Sequence, residues 1–335
     1  MSGNFWKKLK KPFFVLAPMA DVTDPPFRRI IAKYGKPDVI WTEFVSCDGL
    51  LSAGKTRVAR DLRFTQRERP IVAQLFGSDP DKFFESAKLI KKMGFDGIDI
   101  NMGCPEKNIN RQGAGASLIQ NSRLAKKIIE ATKRGAGSLP VSVKTRLGYH
   151  RDESKTWIKN ILSARPDVLV IHGRTKKEMS KVSAHWDAIA RVDKMAHKAG
   201  VLVIGNGDVK NLAEAMNKVR ESGVDGVMIG RGIFGNPWLF SKLNRRCVAG
   251  SCGKNHIDGS SCDLRSKLPL KKRLEIMLEH ARLFEKLMTG QKNFAVMKKH
   301  FKSYVEGFDG AKSLRIRLMT ANNSADVAKA IKEFV

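Results

Sequence analysis

The sequence predicts an α/β fold: a TIM (β/α)8 barrel followed by a small C-terminal α-helical domain. About eight β-rich runs alternate with helical stretches over the first 246 residues. Nearly every predicted strand is a continuous apolar run, as expected for a parallel sheet that is covered by helices. Eight such units favour a barrel over an open doubly wound sheet, and no GxGxxG opens the first helix.

The first unit shows how the elements are recognised. FFVLAPM forms a strand, and DPPFRRIIAKYG follows as a helix with Asp24 as N-cap, prolines in its first turn and Gly35 after its end. Later helices are predicted for DPDKFFESAKLIKKMG, NSRLAKKIIEATKRG, residues 153–164, HWDAIARVDKMAHKAG, VKNLAEAMNKVRESG and NPWLFSKLNRR. The predicted strands are 13–19, 38–44, 70–76, 95–103, 139–146, 166–175, 201–208 and 224–232.

The chain divides into three parts by composition. Residues 1–246 form the barrel, 247–267 a Cys-, Gly- and Ser-rich linker, and 268–335 a helical domain with apolar residues at helical spacing. Around the linker lies the pattern C-x4-C-x3-H-x5-C, made by Cys247, Cys252, His256 and Cys262. Its first spacing is longer than that of a zinc knuckle, so we predict an insertion with incidental cysteines and no metal site.

The charge predicts a polyanionic partner. The sequence holds 62 basic and 33 acidic residues, a formal net charge of +29, and residues 265–335 carry 16 basic against 7 acidic side chains. Nucleic acid is the first expectation and an anionic membrane surface the second. No apolar run approaches the ~20 residues of a membrane span, no signal peptide is evident, and five cysteines argue against a disulfide framework. We therefore expect a cytoplasmic protein without an obligate protein partner.

Polar residues gather at the predicted strand ends, where barrels carry their active sites. Lys144 and Arg146 alternate along one strand and therefore share a face. Two cations that point into the barrel mouth together need an anion or an electron-rich group as a partner. A lysine at the pyrimidine edge of a flavin would stabilise the reduced ring, whereas a salt bridge to Glu43 is the structural alternative. The other strand-end residues are Pro18, Met19, Ala20, Gln74, Asn101, Cys104, His172, Arg174, Asn206, Gly207, Asp208, Gly230, Arg231 and Gly232.

Three of these groups have both a functional and a structural interpretation. The glycine-rich ends IGNGD and IGRG follow strands seven and eight, the usual phosphate site of the fold, although such glycines also make tight turns. Gln74 and Asn101 could bind the edge of a flat heterocycle or serve as buried structural amides. Cys104 stands at a strand end before a flexible loop, where a functional thiol is favoured over a packed core cysteine.

Seven segments, in order, resemble the tRNA-dihydrouridine synthase family, and the match covers nearly the whole chain. NMGCP and its downstream glycine loop are the most specific part, and the motifs are closer to the bacterial B-type branch. The C-terminal MKKHFKSYVEGFDGAKSLRIRLM resembles the helical domain of that family. The seven segments are VLAPMADVTDPPFR, ERPIVAQLFGSDP, GFDGIDINMGCPEKNINRQGAGASLI, PVSVKTRLG, IHGRT, VIGNGDV and GVMIGRG.

The resemblance implies an FMN enzyme that reduces uridines of tRNA, with a nicotinamide reductant, NADPH more often than NADH. It implies that Cys104 is catalytic, that Asn101 faces the substrate and the flavin, and that Arg174 lies near the tRNA. Arg146, which shares a face with Lys144, is a further candidate for substrate binding. Flavin contacts are implied at Pro18, Met19, Gln74, Lys144 and His172, and phosphate contacts at Gly205, Asn206, Gly207, Asp208, Gly230 and Arg231. Candidates for tRNA contacts in the helical domain are Lys298, Lys299, Lys302, Arg315 and Arg317, each with a solvated helix face as the alternative.

Residue chemistry fits this role. Reduction of the C5–C6 bond of uracil needs a hydride at C6 and a proton at C5, and a thiol with a pKa of about 8.5 is mostly protonated at neutral pH. The glycine loop after Cys104 could close over the flipped base and exclude water. Two other functions stay open at this point: an FMN barrel dehydrogenase acting on a free pyrimidine, and a non-catalytic RNA-binding protein.

Overall fold

The structure, a computed structural model, describes residues 4–248 and 268–334. Its centre is an eight-stranded parallel sheet in the order β1-β8-β7-β6-β5-β4-β3-β2. A parallel bridge from Val15 to Val39 and a hydrogen bond from the Leu16 N–H to the Val39 carbonyl (3.2 Å) join β1 to the start of β2. The strands are β1 Phe13–Leu16, β2 Ile40–Ser46, β3 Ile71–Phe76, β4 Gly97–Met102, β5 Val141–Arg146, β6 Val168–His172, β7 Leu202–Asn206 and β8 Gly226–Ile229.

Helices follow the strands as predicted, with ends displaced by a few residues. Asp24 caps the first helix, because its Oδ1 accepts the Phe27 N–H at 3.0 Å and two prolines fill the first turn. No helix was predicted between β2 and β3, where the structure has two short ones, Cys47–Leu51 and Lys55–Ala59. The first helix is Pro25–Tyr34. The remaining barrel helices are Pro80–Lys92, Lys107–Arg111, Ser122–Ala136, Ser154–Ser163, Trp186–Lys198, Leu212–Ser222 and Lys242–Val248.

The barrel has an inner and an outer core. Apolar side chains between the strands and the helices form the outer core. Inside the barrel, Phe13, Val72 and Val170 pack around Trp6, whose indole stacks 5.7 Å from that of Trp41. Trp6 lies on the short 3-10 helix Phe5–Lys8, so the N-terminal segment fills the amino-terminal end of the barrel. Only the opposite end is left for a site.

The C-terminal helices form a cluster of their own, which confirms the predicted α-helical domain as part of the fold. Phe284, Phe301 and Leu314 are buried in this cluster, and Ile30 and Trp238 of the barrel join it. Its helices are Leu270–Met288, Met297–Tyr304, Ala311–Thr320 and Ser324–Lys332, with a 3-10 turn at Phe294–Val296. No helix in the described ranges combines the length and the apolar character that crossing a membrane requires.

The predicted linker lies almost wholly outside the described residues. The helix Lys242–Val248 extends two residues into it. Of the four residues in the Cys/His pattern, Cys252, His256 and Cys262 lie outside the described residues, and Cys247 is described only as part of the helix backbone. The prediction that these residues bind no metal therefore stays a prediction.

Candidate functional site

Strand register builds the polar end of the barrel in layers. Because side chains alternate along a strand, partners in neighbouring parallel strands point to the same side of the sheet. Gln74 is paired with Asp99, and Asp99 with Ser142. One layer above, Asn101 is paired with Lys144. The top layer contains Arg146, His172 and Asn206, which are paired in that order.

A cavity of about 1200 Å³ opens above these layers. Its wall brings together strand-end residues from β1 and from β5 to β8, which the sequence predicted to meet. The helical domain completes the wall with Ser303 and Glu306, and the segment after β6 adds Met179, Ser180 and Ser183. The predicted residues in the wall are Pro18, Met19, Lys144, Arg146, His172, Arg174, Asn206, Gly207, Asp208, Gly230 and Arg231.

Lys144 brings a cation to the cavity wall. Its Nζ donates to Asn206 Oδ1 at 3.2 Å, and no carboxylate of the described chain forms an ion pair with it. Burial and, to a smaller extent, the nearby Arg146 lower the pKa of Lys144 to about 8. The alternative of a salt bridge to Glu43 is not realised, since Glu43 binds Lys292 at 2.8 Å instead. A cation facing the cavity is therefore available to a ligand.

Arg146 connects the cavity to the backbone beside Cys104. Its Nε donates to the Gly103 carbonyl at 2.7 Å, and one Nη donates to the Thr175 carbonyl at 3.1 Å. The guanidinium thus joins the end of β4 to the segment after β6. Burial lowers the pKa of Arg146 to about 10, a value that still leaves it charged at neutral pH.

A chain of amides supports Cys104 from below. Asn101 Nδ2 donates to Gln74 Oε1 at 3.1 Å, and Gln74 Nε2 donates to Asp99 Oδ2 at 2.6 Å. Asn101 Oδ1 accepts the backbone N–H groups of Gly103 (3.1 Å) and Cys104 (2.9 Å). Burial raises the pKa of Asp99 to about 6. Gln74 and Asn101 are thus deeply buried beside the cavity and positioned by hydrogen bonds.

The glycine loop packs directly on Cys104. The Cys104 carbonyl accepts the Ala116 N–H at 3.0 Å and the Asn110 Nδ2 at 2.9 Å. Gly115 has φ +62°, and a Cβ there would lie 2.9 Å from the Cys104 carbonyl oxygen, so this contact needs a glycine. Burial raises the pKa of the half-buried Cys104 thiol above its ordinary value. The thiol is therefore protonated at neutral pH.

The loop after β7 is held by one carboxylate between two arginines. Asp208 pairs with Arg174 and, at 3.1 Å, with Arg231, and its pKa is lowered chiefly by the bond to Arg174. Gly207 has φ +137°, and a Cβ there would lie 2.6 Å from that of Ala184. The loop is thus fixed in a conformation that exposes backbone to the cavity.

His172 is a neutral side chain in a cationic setting. Burial lowers its pKa well below the ordinary value, and Arg146 and Lys144 lower it further. Its Nε2 lies 3.2 Å from a guanidinium nitrogen of Arg174. Because a guanidinium can only donate, Nε2 accepts this bond and the proton of the neutral ring sits on Nδ1.

Gln74, Asn101 and Cys104 do not line the cavity themselves, and three further predicted residues do not line it either. Gly205 faces the Trp186 ring, 2.5 Å from where its Cβ would be, so packing against a helix already demands glycine there. Arg315 donates to the Val305 carbonyl at 3.2 Å inside the helical domain. Lys298 is half-buried on the Met297–Tyr304 helix. None of the three lines the cavity described above.

Sequence reasoning missed several residues around the site. Asp99 could have been found, because it precedes Asn101 by two residues and so shares its face of β4. Ser303 and Glu306 carry no local signal, since the helical domain reaches the cavity only through tertiary packing. The same is true of Lys292, whose ammonium lies among barrel carboxylates.

The profile of the dihydrouridine synthase family matches residues 15–334 of this chain. The chain belongs to the dihydrouridine synthase family. It is 39% identical over 339 residues to a probable tRNA-dihydrouridine synthase of Staphylococcus aureus (strain COL), covering 100% of this chain and 96% of that protein. It is 40% identical over 338 residues to the probable tRNA-dihydrouridine synthase 2 of Bacillus subtilis (strain 168), covering 100% and 97%. The resemblance seen in the sequence is confirmed.

Solved structures share the barrel of this family member. A complex of 2-naphthoyl-CoA reductase aligns with a TM-score of 0.55 at 10% identity, covering 71% of this chain and 50% of that one. An old yellow enzyme homologue from Zymomonas mobilis aligns with a TM-score of 0.50 at 15% identity, covering 73% and 91%. This chain thus spans about half the length of the reductase. At such identities the likeness establishes the fold, and the predicted TIM barrel is confirmed.

Proposed function

We propose that this protein reduces specific uridines of tRNA to 5,6-dihydrouridine, with FMN as its flavin and NADPH as the reductant. The observation that carries the proposal is the placement of a protonated thiol, Cys104, beside a cavity lined by cations. The Arg146 guanidinium joins the two, because it lines the cavity and binds the carbonyl of Gly103. We propose that the protein acts in the cytoplasm, where tRNA is found.

The cavity residues fit a flavin mononucleotide. Lys144 is a cation without a carboxylate partner in the described chain, suited to the electron-rich pyrimidine edge of a reduced ring. Gly207, Gly230 and Arg231 would hold the phosphate with backbone N–H groups and one guanidinium. Met19 and His172 would contact the ring, where the neutral imidazole avoids adding a further charge. Bound and reduced, FMN supplies the hydride for C6 of the uracil.

Cys104 would supply the proton for C5. Burial keeps its thiol in the acid form, and the glycine loop packs against its carbonyl group. The hydrogen bonds to its N–H and carbonyl hold the Cys104 backbone in place, so the thiol needs only side-chain rotation to reach a bound base. A thiolate formed by the transfer would be stabilised by Arg146 and Lys144, whose charges both favour it.

Asn101 and Arg146 would orient the base and the acid. Asn101 uses its oxygen and one amide hydrogen in the protein, and its second amide hydrogen remains to donate to a uracil carbonyl. Arg146 holds the Gly103 carbonyl, which fixes the direction in which the following thiol can point. Arg174 would act mainly through Asp208 to shape the wall nearest the RNA.

The charge distribution supports a large RNA substrate. Binding of a small pyrimidine would not require a net charge of +29. Such a charge suits contacts with the many phosphates of a folded tRNA. Lys298 and Arg315 are the proposed contacts from the helical domain. A paired or stacked uridine must leave its RNA partners to enter the cavity, a cost that phosphate binding would offset.

The test combines flavin binding with product analysis. The purified full chain is loaded with FMN, mixed with tRNA that lacks dihydrouridine, and given NADPH or NADH in parallel reactions. Nucleoside mass spectrometry should find dihydrouridine that depends on FMN, on tRNA and on the nicotinamide, with NADPH the better reductant. Turnover of free orotate in place of tRNA would replace the proposal with a free-pyrimidine dehydrogenase. Absence of flavin binding would replace it with a non-catalytic RNA-binding protein.

A further inference from the structure

One lysine of the helical domain is buried among carboxylates of the barrel. Lys292 lies between the Leu270–Met288 helix and the Phe294–Val296 turn, and its side chain is 15% exposed. Its Nζ lies 2.8 Å from Glu43, 3.4 Å from Asp61 and 3.5 Å from Asp21. These three acids belong to separate segments of the barrel, so one ammonium joins them all.

Glu43 connects Lys292 to the loop that contributes to the cavity wall. Its Oε1 accepts from Lys292, and its Oε2 accepts the backbone N–H of Asp21 at 2.9 Å. Asp21 has φ +52°, a conformation that is uncommon for residues other than glycine. Met19 lies two residues earlier in the same loop and lines the cavity. Glu43 thus helps to hold this loop, together with the hydrogen bonds that the Val22 and Thr23 N–H groups donate to the Met19 carbonyl.

The electrostatic balance around Glu43 depends on the ammonium. Burial raises the pKa of Glu43, and Lys292 counteracts this. Burial and the charge of Glu43 also raise the pKa of the fully buried Asp24, to about 7. Without Lys292, the buried carboxylate of Glu43 would face that of Asp61 with no cation between them, at a place that little water reaches.

We propose that Lys292 is a positioning residue, through which the helical domain fixes the 17–23 loop that forms one wall of the cavity. This role rests on the proposed flavin site. It makes the domain that is expected to bind tRNA a structural part of the cofactor site, although Lys292 itself does not line the cavity.

Other contacts hold the two parts together, so Lys292 is not required as an anchor. Lys33 binds Glu279 at 2.7 Å across the same interface, and Arg63 donates to the Leu287 carbonyl at 2.9 Å. Trp238 and Ile30 of the barrel are buried in the helical core. Loss of Lys292 should therefore disturb the loop more than the docking of the domain.

The experiment compares three variants of the full chain with the wild type. In Lys292→Met, the buried carboxylates lose their cation. In Lys292→Met with Glu43→Gln, the amide oxygen can still accept the Asp21 N–H while one charge is gone. Lys33→Met is the matched control, because it removes a second lysine of the interface that does not touch the loop. The readouts are FMN affinity by fluorescence quenching and amide hydrogen exchange of residues 17–24.

We expect Lys292→Met to weaken FMN binding by about tenfold and to speed exchange in residues 17–24. The double variant should recover most of both losses, whereas Lys33→Met should match the wild type. If Lys292 only anchored the helical domain, Lys292→Met and Lys33→Met would lose FMN affinity equally and the double variant would recover none of it. That result would overturn the proposal. If the wild type binds no FMN, the proposed function fails, and hydrogen exchange still decides whether Lys292 orders the loop.

Discussion

The side-chain oxygen of Asn101 accepts the backbone N–H of Cys104 at 2.9 Å, and the same amide donates to Gln74 at 3.1 Å. Two residues of β3 and β4 thus determine where the proposed acid stands. The support is rigid, because Gln74 and Asn101 are buried and Asp99 holds the far end of the chain. Similar hydrogen-bonded support is common behind reactive groups in enzymes.

Asn101→Ala should slow uridine reduction by roughly 10- to 100-fold, because Cys104 loses the acceptor that holds its backbone. FMN should still bind, since Lys144 and the glycine loops that are proposed to hold it are unchanged. Single-turnover oxidation of the NADPH-reduced enzyme by tRNA measures the effect. Asn101→Ser retains an oxygen acceptor on a shorter side chain, so its rate should lie between those of the wild type and Asn101→Ala. A rate equal to that of the wild type would remove Asn101 from the mechanism.

Cys104→Ala should keep FMN and tRNA binding and lose about 100- to 10,000-fold in dihydrouridine formation, the usual contribution of a general acid. Cys47→Ala is the control, since Cys47 is a buried thiol on the helix that follows β2 and not on the loop after β4. Nucleoside mass spectrometry after timed reactions gives the rates. Because burial raises the pKa of Cys104, the part of the pH profile that reports loss of the thiol proton should lie at higher pH than for an ordinary thiol. Undiminished turnover in Cys104→Ala would contradict the acid assignment.

Lys144→Met should weaken binding of reduced FMN more than of oxidised FMN, because the ammonium favours the negative ring. A tenfold difference lowers the two-electron potential by about 30 mV. Burial lowers the pKa of Lys144 to about 8, so in the wild type the affinity for reduced FMN should fall as the pH rises through 8. Spectroelectrochemical titration across pH 6.5 to 9.5 tests both effects. Lys126→Met, on the outer surface of the barrel, should behave as the wild type.

Lys298→Gln should weaken tRNA binding and reduce the slope of log Kd against log salt by roughly 0.7 to 0.9, the share of one phosphate contact. The measurement is filter binding of tRNA at several salt concentrations. Lys88→Gln on the barrel is the control, because its exposed ammonium already pairs with Glu85. Equal slopes for Lys298→Gln and the wild type would assign Lys298 to a solvated helix face.

The buried imidazoles of the helical domain should make the protein sensitive to acid. Burial lowers the pKa of His280 to about 3 and that of His300 well below its ordinary value. Between pH 6.5 and 3 these histidines are protonated in the unfolded chain but neutral in the folded chain, so the stability of the fold decreases as the pH falls. The loss should approach 1.4 kcal/mol per pH unit for each histidine.

Unfolding free energies of His280→Phe and the wild type, measured from pH 7.5 to 4.5, isolate this contribution. The variant keeps an aromatic ring beside Phe27 and should lose less stability in acid. The difference matters because buried acids such as Asp99 titrate in the same range with the opposite sign. His150→Phe at an exposed site should leave the profile unchanged. Parallel profiles for wild type and His280→Phe would exclude the buried imidazole as the cause.

Much of the molecule could be predicted because it is encoded locally. Continuous apolar runs gave the eight strands, Asp24 and two prolines gave the start of the first helix, and strand-end polarity gave most of the cavity wall. Gly205 shows the limit of this reasoning. The resemblance implies a phosphate contact there, and the structure adds a packing reason for the glycine, because a Cβ at this position would meet the Trp186 ring.

The sequence by itself determined the barrel, the basic charge and the family, because each depends on composition, short-range periodicity or contiguous motifs. Tertiary structure alone decided which charges meet. Asp208 lies between Arg174 and Arg231, and Lys292 of the helical domain reaches Glu43 of β2. Such pairs join residues far apart in the chain, and their energies depend on burial and distance. Neither quantity exists until the barrel closes and the helical domain packs against it.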